Sequence, residues 1–157
     1  MPHIHEKIDY CAETFVVYEN KVLLRMHDKL KKWLSVGGHI ELDEDPNEAA
    51  HREVKEEVGL DIELYTEPES IPDVPADNNN KLLIPPQYLD RHDISEDHEH
   101  IAFIYFARAK TNVLKLSDKE VCDECKWFSK EELQANKEGI DKLTVFYALQ
   151  ALEKLGE

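Results

Sequence analysis

Alternating and continuous runs of apolar residues predict a chain that mixes strands with helices. Segments rich in β-branched and aromatic residues predict strands at residues 12–18, 21–26, 33–36, 61–66 and 121–128. The Glu19-Asn20 pair between the first two segments predicts a hairpin turn. Residues 100–109 are apolar at successive positions, which is typical of a central strand covered on both faces.

Residues 46–58 are predicted to form a helix with clear start and stop signals. Asp45 fits the N-cap, Pro46 fits the first helical position, and Glu48 completes a capping box with Asp45. Gly59 fits the left-handed position that follows a last helical turn. Apolar residues recur along this interval at helical spacing, so one of its faces is expected to pack on a sheet.

The second half of the chain carries two further predicted helices and one irregular segment. Ser129 and Glu132 fit a capping box that opens a short helix ending near residue 135. Apolar residues at helical spacing predict a closing helix over 140–155. Residues 67–97 hold five of the seven prolines and are predicted to form an irregular insertion, part of which packs or forms a short strand.

The length and the net charge of the chain limit the classes of protein to which it can belong. A chain of 157 residues is expected to fold as one domain, residues 1–157, with a single core. The net charge of −15 argues against binding of a nucleic acid polymer, because that mode of binding needs basic patches. We find neither a basic, apolar, cleavable N-terminus nor a run of 18 apolar residues, so no membrane contact and a cytoplasmic location are expected.

The cysteine content agrees with a reducing compartment. The chain contains three cysteines, at positions 11, 122 and 125, and an odd number does not make a disulfide framework. Cys122 and Cys125 form a CxxC pair, but a zinc site needs about four ligands and the sequence has no second pair. His92, His98 or His100 could supplement it. The simpler interpretation is two cysteines in or beside a strand.

Three glutamates of the first predicted helix form an acidic cluster. Glu53, Glu56 and Glu57 stand at positions i, i+3 and i+4 and share one face. Like charges packed this closely repel one another unless a cation lies among them, and Mg²⁺ prefers carboxylate oxygens and often bridges to phosphates. The Gly37-Gly38 pair before the helix lets the backbone approach a ligand closely.

Residues 38–60, GHIELDEDPNEAAHREVKEEVGL, resemble the Nudix box of the Nudix (MutT-like) hydrolases. The defining positions are filled by Gly38, Glu44, Arg52, Glu53, Glu56, Glu57 and Gly59, with aliphatic Val54 and Leu60 where the family has bulky apolar residues. The set gaps make this motif far more specific than a lone glycine-rich loop.

The resemblance implies a fold, a reaction and a cofactor. The expected fold class is α/β: an α/β/α sandwich around a central mixed β-sheet, with the box as a loop–helix–loop. The expected reaction is hydrolysis of a diphosphate linkage in a nucleoside diphosphate joined to another moiety, with Mg²⁺ or Mn²⁺. Glu53, Glu56 and Glu57 would be catalytic residues and metal ligands, the Gly38 carbonyl a further ligand, and Glu44 and Arg52 a structural pair.

A glutamate outside the box is a candidate extra ligand or general base. Nudix enzymes often draw such a residue from a position that differs between subfamilies. Glu99, beside the predicted central strand, is favoured, because a charged residue beside a buried strand usually has a partner. Glu96 and Glu120 are alternatives.

Other side chains are candidates for contact with a substrate. Arg25, after the first hairpin, could reach a phosphate or remain a surface charge. Trp33 and Tyr88 could stack on a base, whereas core packing is expected for Tyr105.

The substrate remains open among nucleoside triphosphates, including oxidised ones, ADP-ribose-like sugar nucleotides and dinucleoside polyphosphates. A non-catalytic nucleotide sensor is the main alternative, although such domains tend to have lost box glutamates. An isomerase of isopentenyl diphosphate would need a catalytic cysteine, and nothing singles one out. The only expected partner is a small nucleotide-type substrate, with a homodimer as an open possibility because dimers are common in the family.

Overall fold

One mixed sheet organises the chain in the computed structural model, which describes residues 6–116 and 124–156. The strands are β1 (Ile8–Tyr18), β2 (Lys21–His27), β3 (Lys32–Leu34), β4 (Val36–His39), β5 (Ile62–Leu64), β6 (Tyr88–Ser95), β7 (His98–Ala109) and β8 (Cys125–Ser129). The helices are α1 (Pro46–Val58), α2 (Lys130–Ala135) and α3 (Lys142–Leu155). A 3-10 turn lies at Pro68–Ser70.

The two longest strands, β1 and β7, form the centre of the sheet. They run parallel, in register from Ile8 opposite Glu99 to Val17 opposite Arg108. The strand order is β3-β2-β1-β7-β5, and β4, β6 and β8 pair in antiparallel fashion with β1, β7 and β2. Because β4 pairs with the first half of β1, the loop that leads into α1 starts beside the middle of the sheet.

Each face of the sheet is covered by helix. On one face, Val54 and Val58 of α1 join a buried cluster with Val16 of β1 and Ala107 of β7. On the other face, residues of α2 and α3 pack with apolar side chains of β1, β2 and β7. This arrangement confirms the predicted α/β/α sandwich, and it explains why β7 is apolar at successive positions.

Local sequence signals set the bounds of α1. The side chain of Asp45 accepts a hydrogen bond from the backbone N–H of Glu48, and the side chain of Glu48 accepts one from the N–H of Asp45. Gly59 has φ of 73°, the left-handed conformation that favours glycine. The predicted helix over residues 46–58 is therefore confirmed at both ends.

One prediction about the strands was wrong in detail, and another was incomplete. The strand predicted over 33–36 is two strands that break at Ser35, with β3 on β2 and β4 on β1. The insertion over 67–97, part of which was predicted to pack or form a short strand, ends in the eight-residue strand β6. The bounds of β6 could not be predicted from its polar composition, because it lies at the surface and is stabilised mainly by its pairing with β7.

The remainder of the insertion is held against the start of α1. The Asn47 side chain donates to the carbonyl oxygen of Ile84 and accepts from the Ile84 N–H, both at 2.9 Å. Lys81 Nζ lies 2.6 Å from an oxygen of Asp45. These contacts attach the segment to the helix that carries the acidic cluster.

Some sequence predictions fall outside the described residues. These are Glu120, Cys122 and the first part of the strand predicted over 121–128. Over the ranges that are described, none of the helices combines the length and apolar character needed to span a membrane.

Candidate active site at the acidic helix

The acidic residues of α1 separate into a buried pair and an exposed member. Glu53 and Glu57, four residues apart, are both buried, since that spacing places them one turn apart above β4. Glu56 points away from the sheet, with 62% of its side chain exposed. The helix therefore presents two shielded carboxylates and one that solvent reaches.

Two glycines of β4 make room for the buried pair. The N–H of Gly37 donates to Oε2 of Glu57 at 3.2 Å. The Glu53 carboxylate lies so close to Gly38 that a Cβ added there would be 2.6 Å from its Oε1. Only glycine at position 38 leaves the carboxylate this close to the backbone.

Arg52 links the loop before α1 to the acidic cluster. Its Nε and Nη2 contact both carboxylate oxygens of Glu44, with 2.6 Å from Nη2 to Oε1 and 2.9 Å from Nε to Oε2. Its Nη1 lies 2.8 Å from Glu53 and 3.2 Å from Glu56. The hydrogen bonds from Arg52 hold the pKa of Glu44 below its usual value. Glu44 and Arg52 thus contact each other as an ion pair, and the same guanidinium also contacts two box glutamates.

Arg25 provides a second positive charge on the same face. Its Nη2 lies 2.9 Å from Oε1 of Glu57, and both side chains are nearly inaccessible to solvent. The Arg25 guanidinium therefore reaches the site from β2 and binds a glutamate there. Contact between Arg25 and a phosphate stays a prediction.

Comparison with known proteins agrees with the motif and its geometry. The NUDIX domain model matches residues 13–149, which is most of the chain. The chain belongs to the Nudix family. A Nudix-family hydrolase from Clostridium perfringens has a similar solved structure, with 36% sequence identity, a TM-score of 0.80, and coverage of 96% of this chain and 98% of that one.

More distant solved structures share the Nudix fold. A MutT Nudix hydrolase from Burkholderia pseudomallei has 19% identity and a TM-score of 0.65, with coverage of 96% of this chain and 99% of that chain. The MutT protein from Methanosarcina mazei Go1 has 17% identity and a TM-score of 0.66, with coverage of 95% and 96%. The protein is thus a Nudix hydrolase that spans nearly the full length of these relatives.

Glu99 is not suited to be the base of this Nudix hydrolase. It is buried and forms ion pairs with Arg91 and Lys7. Hydrogen bonds from these two cations lower the pKa of Glu99 to about 2, so the carboxylate is a weak proton acceptor. Gly38 is level with Phe103 across β1, four residues from Glu99 along β7, which corresponds to roughly 13 Å. We therefore do not favour Glu99 as the general base, and its role as an extra metal ligand stays a prediction.

The structure separates the two aromatic candidates. Trp33 is 4% exposed and packs edge-to-face on Phe128, with the ring centroids 5.2 Å apart. It belongs to the hydrophobic core and is not available to stack on a base, so that prediction was wrong. Tyr88 is half-buried beside Phe146 and Tyr147, on the face covered by α3. Stacking of a base on Tyr88 stays a prediction.

The described cysteines do not provide a nucleophile. Burial raises the pKa of the Cys11 thiol to about 12, so it stays protonated and unreactive at neutral pH. Cys125 is half-buried at the start of β8. Nothing at these positions favours the cysteine-dependent isomerase alternative.

Divalent metals are the general cofactors of Nudix enzymes, and the residues of this box fit such an ion. Glu53, Glu56 and Glu57 offer the hard carboxylate oxygens that Mg²⁺ and Mn²⁺ prefer. Because Gly38 has no side chain, the Glu53 carboxylate lies close to the Gly38 backbone. The positive charges of Arg52 and Arg25 lie beside these carboxylates and offset part of their negative charge.

Two groups of polar residues on the other face of the sheet were missed. Glu13 accepts a hydrogen bond from Ser35 Oγ at 3.3 Å, and burial raises the pKa of its carboxyl against the opposing effect of His92. The available signal was that Glu13 is the one acidic residue of the strand predicted over 12–18. In the second group, Asp9 and His39 lie beside His98 and His100 of β7. From the sequence, these two histidines were predicted only as possible partners of the cysteine pair.

Proposed function

We propose that this Nudix hydrolase uses a divalent metal to cleave a diphosphate linkage in a nucleoside diphosphate joined to another moiety. One observation carries the proposal. Two buried carboxylates, Glu53 and Glu57, lie against the glycine pair of β4, and the exposed Glu56 stands beside them. This donor set can hold an ion next to an open surface, where a phosphate group can bind.

The box residues have separate roles in this proposal. Glu53, Glu56, Glu57 and the carbonyl oxygen of Gly38 would hold Mg²⁺ or Mn²⁺. When bound, the ion would neutralise phosphate charge and lower the pKa of a coordinated water. Arg52 fixes the rotamers of Glu53 and Glu56 through its two contacts at Nη1.

The proton acceptor is proposed to be one of the three box glutamates. Glu99 is not favoured as the acceptor, because two cations hold it and the register of β1 and β7 sets it away from Gly38. Arg25 contacts Glu57 directly, and Arg52 contacts Glu53 and Glu56, so each box carboxylate has a cation beside it. The proposed substrate is a small anion. A protein with a net charge of −15 is not expected to have the basic patches that bind a nucleic acid polymer.

Substitution of single carboxylates tests the proposal. Glu56→Gln and Glu57→Gln should each lower kcat by orders of magnitude, because an amide is a poor metal ligand and cannot accept the proton. Glu63→Gln, on the exposed edge position of β5, is the matched control and should leave kcat unchanged. Circular dichroism of each variant should show an intact fold. Wild-type turnover in both box variants would contradict the proposed site.

A panel of substrates would define the reaction. Nucleoside triphosphates with and without base oxidation, ADP-ribose and dinucleoside polyphosphates should be incubated with Mg²⁺ or Mn²⁺, and the products identified by mass spectrometry. Turnover in ¹⁸O-labelled water shows which phosphorus is attacked. Activity that persists in excess chelator would rule out the metal requirement. Tight binding of a nucleotide without any product would instead support a sensor.

A further inference from the structure

Four metal-ligating side chains converge at one end of the sheet, apart from the Nudix box. They are Asp9 of β1, His39 of β4, and His98 and His100 of β7. One ligand atom from each lies within 4.8 Å of the ligand atoms of the other three. No role in diphosphate hydrolysis has been given to any of the four.

The register of the strands places this cluster on the face opposite α1. His98 and His100 alternate in phase with Ala102 and Ile104, which pack in the core cluster of α3. Asp9 pairs directly with His100 across β1 and β7, and His39 pairs with Cys11, two residues from Asp9. Regular strand pairing, rather than a mobile loop, therefore holds the four side chains together.

Four of the six distances between ligand atoms in the cluster are close to those of a tetrahedral site, and the other two do not exceed 4.8 Å. His100 Nε2 lies 3.2 Å from His39 Nε2 and 3.1 Å from His98 Nε2. Asp9 Oδ2 lies 3.2 Å from His98 Nε2 and 3.8 Å from His39 Nε2. Ligands bound to zinc at about 2.0–2.1 Å in a tetrahedron are roughly 3.3–3.4 Å apart.

Hydrogen bonding alone satisfies the three imidazoles poorly. A neutral imidazole nitrogen carries either a proton or one lone pair. Nε2 of His100 faces two other Nε2 atoms at hydrogen-bond distance, so it cannot make a full hydrogen bond with each. A metal ion at the centre would accept one lone pair from each ring. Asp9 and His39 are about half-exposed, at 47% and 57% of their side chains, which leaves a path for an ion to enter.

We propose that Asp9, His39, His98 and His100 form a binding site for a transition-metal ion, with Zn²⁺ as its ligand. Three imidazoles and one carboxylate suit Zn²⁺, whereas Mg²⁺ prefers sites made of oxygen atoms. The site joins β1, β4 and β7. Because His39 directly follows Gly38, an ion there would restrict the strand that presents Gly38 to the box.

Binding of metal to the protein, rather than catalysis, provides the test. The full chain is stripped with chelator, exchanged into buffer with excess Mg²⁺ to occupy the box, and titrated with Co²⁺ and with Zn²⁺. We expect one equivalent of Co²⁺ to give the intense visible absorption of tetrahedral coordination, and Zn²⁺ to displace it. When the free Zn²⁺ concentration is about a hundred times its Kd, Tm should rise by about 5–10 °C.

Single variants assign the ligands. His39→Ala and Asp9→Asn alter exposed side chains, so both should fold, and each should weaken Zn²⁺ binding by more than the roughly 10–100-fold loss that outer-shell partners cause. His51→Ala, an exposed histidine of α1, is the matched control and should bind as the wild type does. Repeating the titration in Glu57→Gln separates this site from the box.

Two results would contradict the proposed zinc site. Unchanged Zn²⁺ binding in His39→Ala, Asp9→Asn and a His98→Ala/His100→Ala double variant would overturn the proposal. So would the absence of the tetrahedral Co²⁺ spectrum in the wild type. Because neither readout uses a nucleotide, failure of the zinc site would leave the proposed hydrolysis untouched, and the reverse also holds.

Discussion

The glycine pair of β4 allows one prediction that separates the fold from the active site. Gly37 and Gly38 are neighbours in one short strand, yet an added methyl group meets different surroundings at each. At Gly37 the new Cβ would overlap the carbonyl oxygen of Ala12 and lie 2.8 Å from Cα of Glu13. At Gly38 the three atoms nearest to the new Cβ all belong to the end of the Glu53 side chain, with Oε1 2.6 Å away.

The size of each effect depends on whether the atoms that the new methyl group meets can move aside. Gly37→Ala forces two paired strands apart, and overpacking of this kind costs about 3 kcal/mol. For a protein of this size that corresponds to a fall in Tm of about 6–12 °C. Gly38→Ala displaces a flexible side chain, so the free energy of unfolding should change by less than about 1 kcal/mol. It moves the Glu53 carboxylate by about 1 Å, and a displacement of that size can lower kcat/KM by roughly 100-fold.

Thermal denaturation and turnover on the best substrate of the panel test both variants. If Gly38→Ala acts through Glu53, a Gly38→Ala/Glu53→Gln double variant should be no less active than Glu53→Gln alone. Additive losses in the double variant, or wild-type kcat/KM in Gly38→Ala, would refute the role of this glycine. Wild-type Tm in Gly37→Ala would refute the packing argument for β4.

Two further predictions concern ion pairs. Arg52→Ala leaves the shielded Glu44 and Glu53 without their guanidinium and should lower the free energy of unfolding by about 3 kcal/mol. Arg52→Lys should be intermediate, because lysine keeps the charge but cannot make the two parallel hydrogen bonds of a guanidinium. Urea unfolding measures the stability of both variants, and equal stability of the variants and the wild type would contradict the prediction. The folded-state pKa of Glu99 is depressed to about 2, so the stability that it contributes is present above its ordinary value of 4.5 and is lost as pH falls from there to about 2. Glu99→Gln should therefore be less stable than wild type at about pH 6 and should approach it near pH 2 in urea unfolding, whereas parallel curves across this range would rule out the ion pairs as the cause.

The Nudix box is the part of the molecule that the sequence described best. Its helix bounds rest on contacts between residues three or four apart, such as Asp45 with Glu48 and Gly59 with Lys55. The Glu44–Arg52 pair spans only one loop. Interactions this local are encoded in short segments, so spacing and residue type were enough to predict them.

Errors arose where long-range packing decides the outcome. Trp33 stands in a short strand with a basic residue before it, but pairing of β3 with β2 turns its ring into the core beside Phe128. Glu99 was placed near the box by its character alone, whereas the register of β1 and β7 sets it away from Gly38 and against two cations. The extent of strand β6 was not predicted, because its pairing with β7, not its own composition, makes it a strand.

The sequence by itself determined the acidic helix, its caps and the glycine turn before it, since those features depend on neighbours along the chain. Only the tertiary structure brought Asp9, His39 and His100 together, from three strands that are distant in sequence. Strand register is a property of the whole sheet, and a shift of one residue would move each of these side chains to the other face. For that reason the box could be located from the sequence, and the histidine cluster could be located only from the fold.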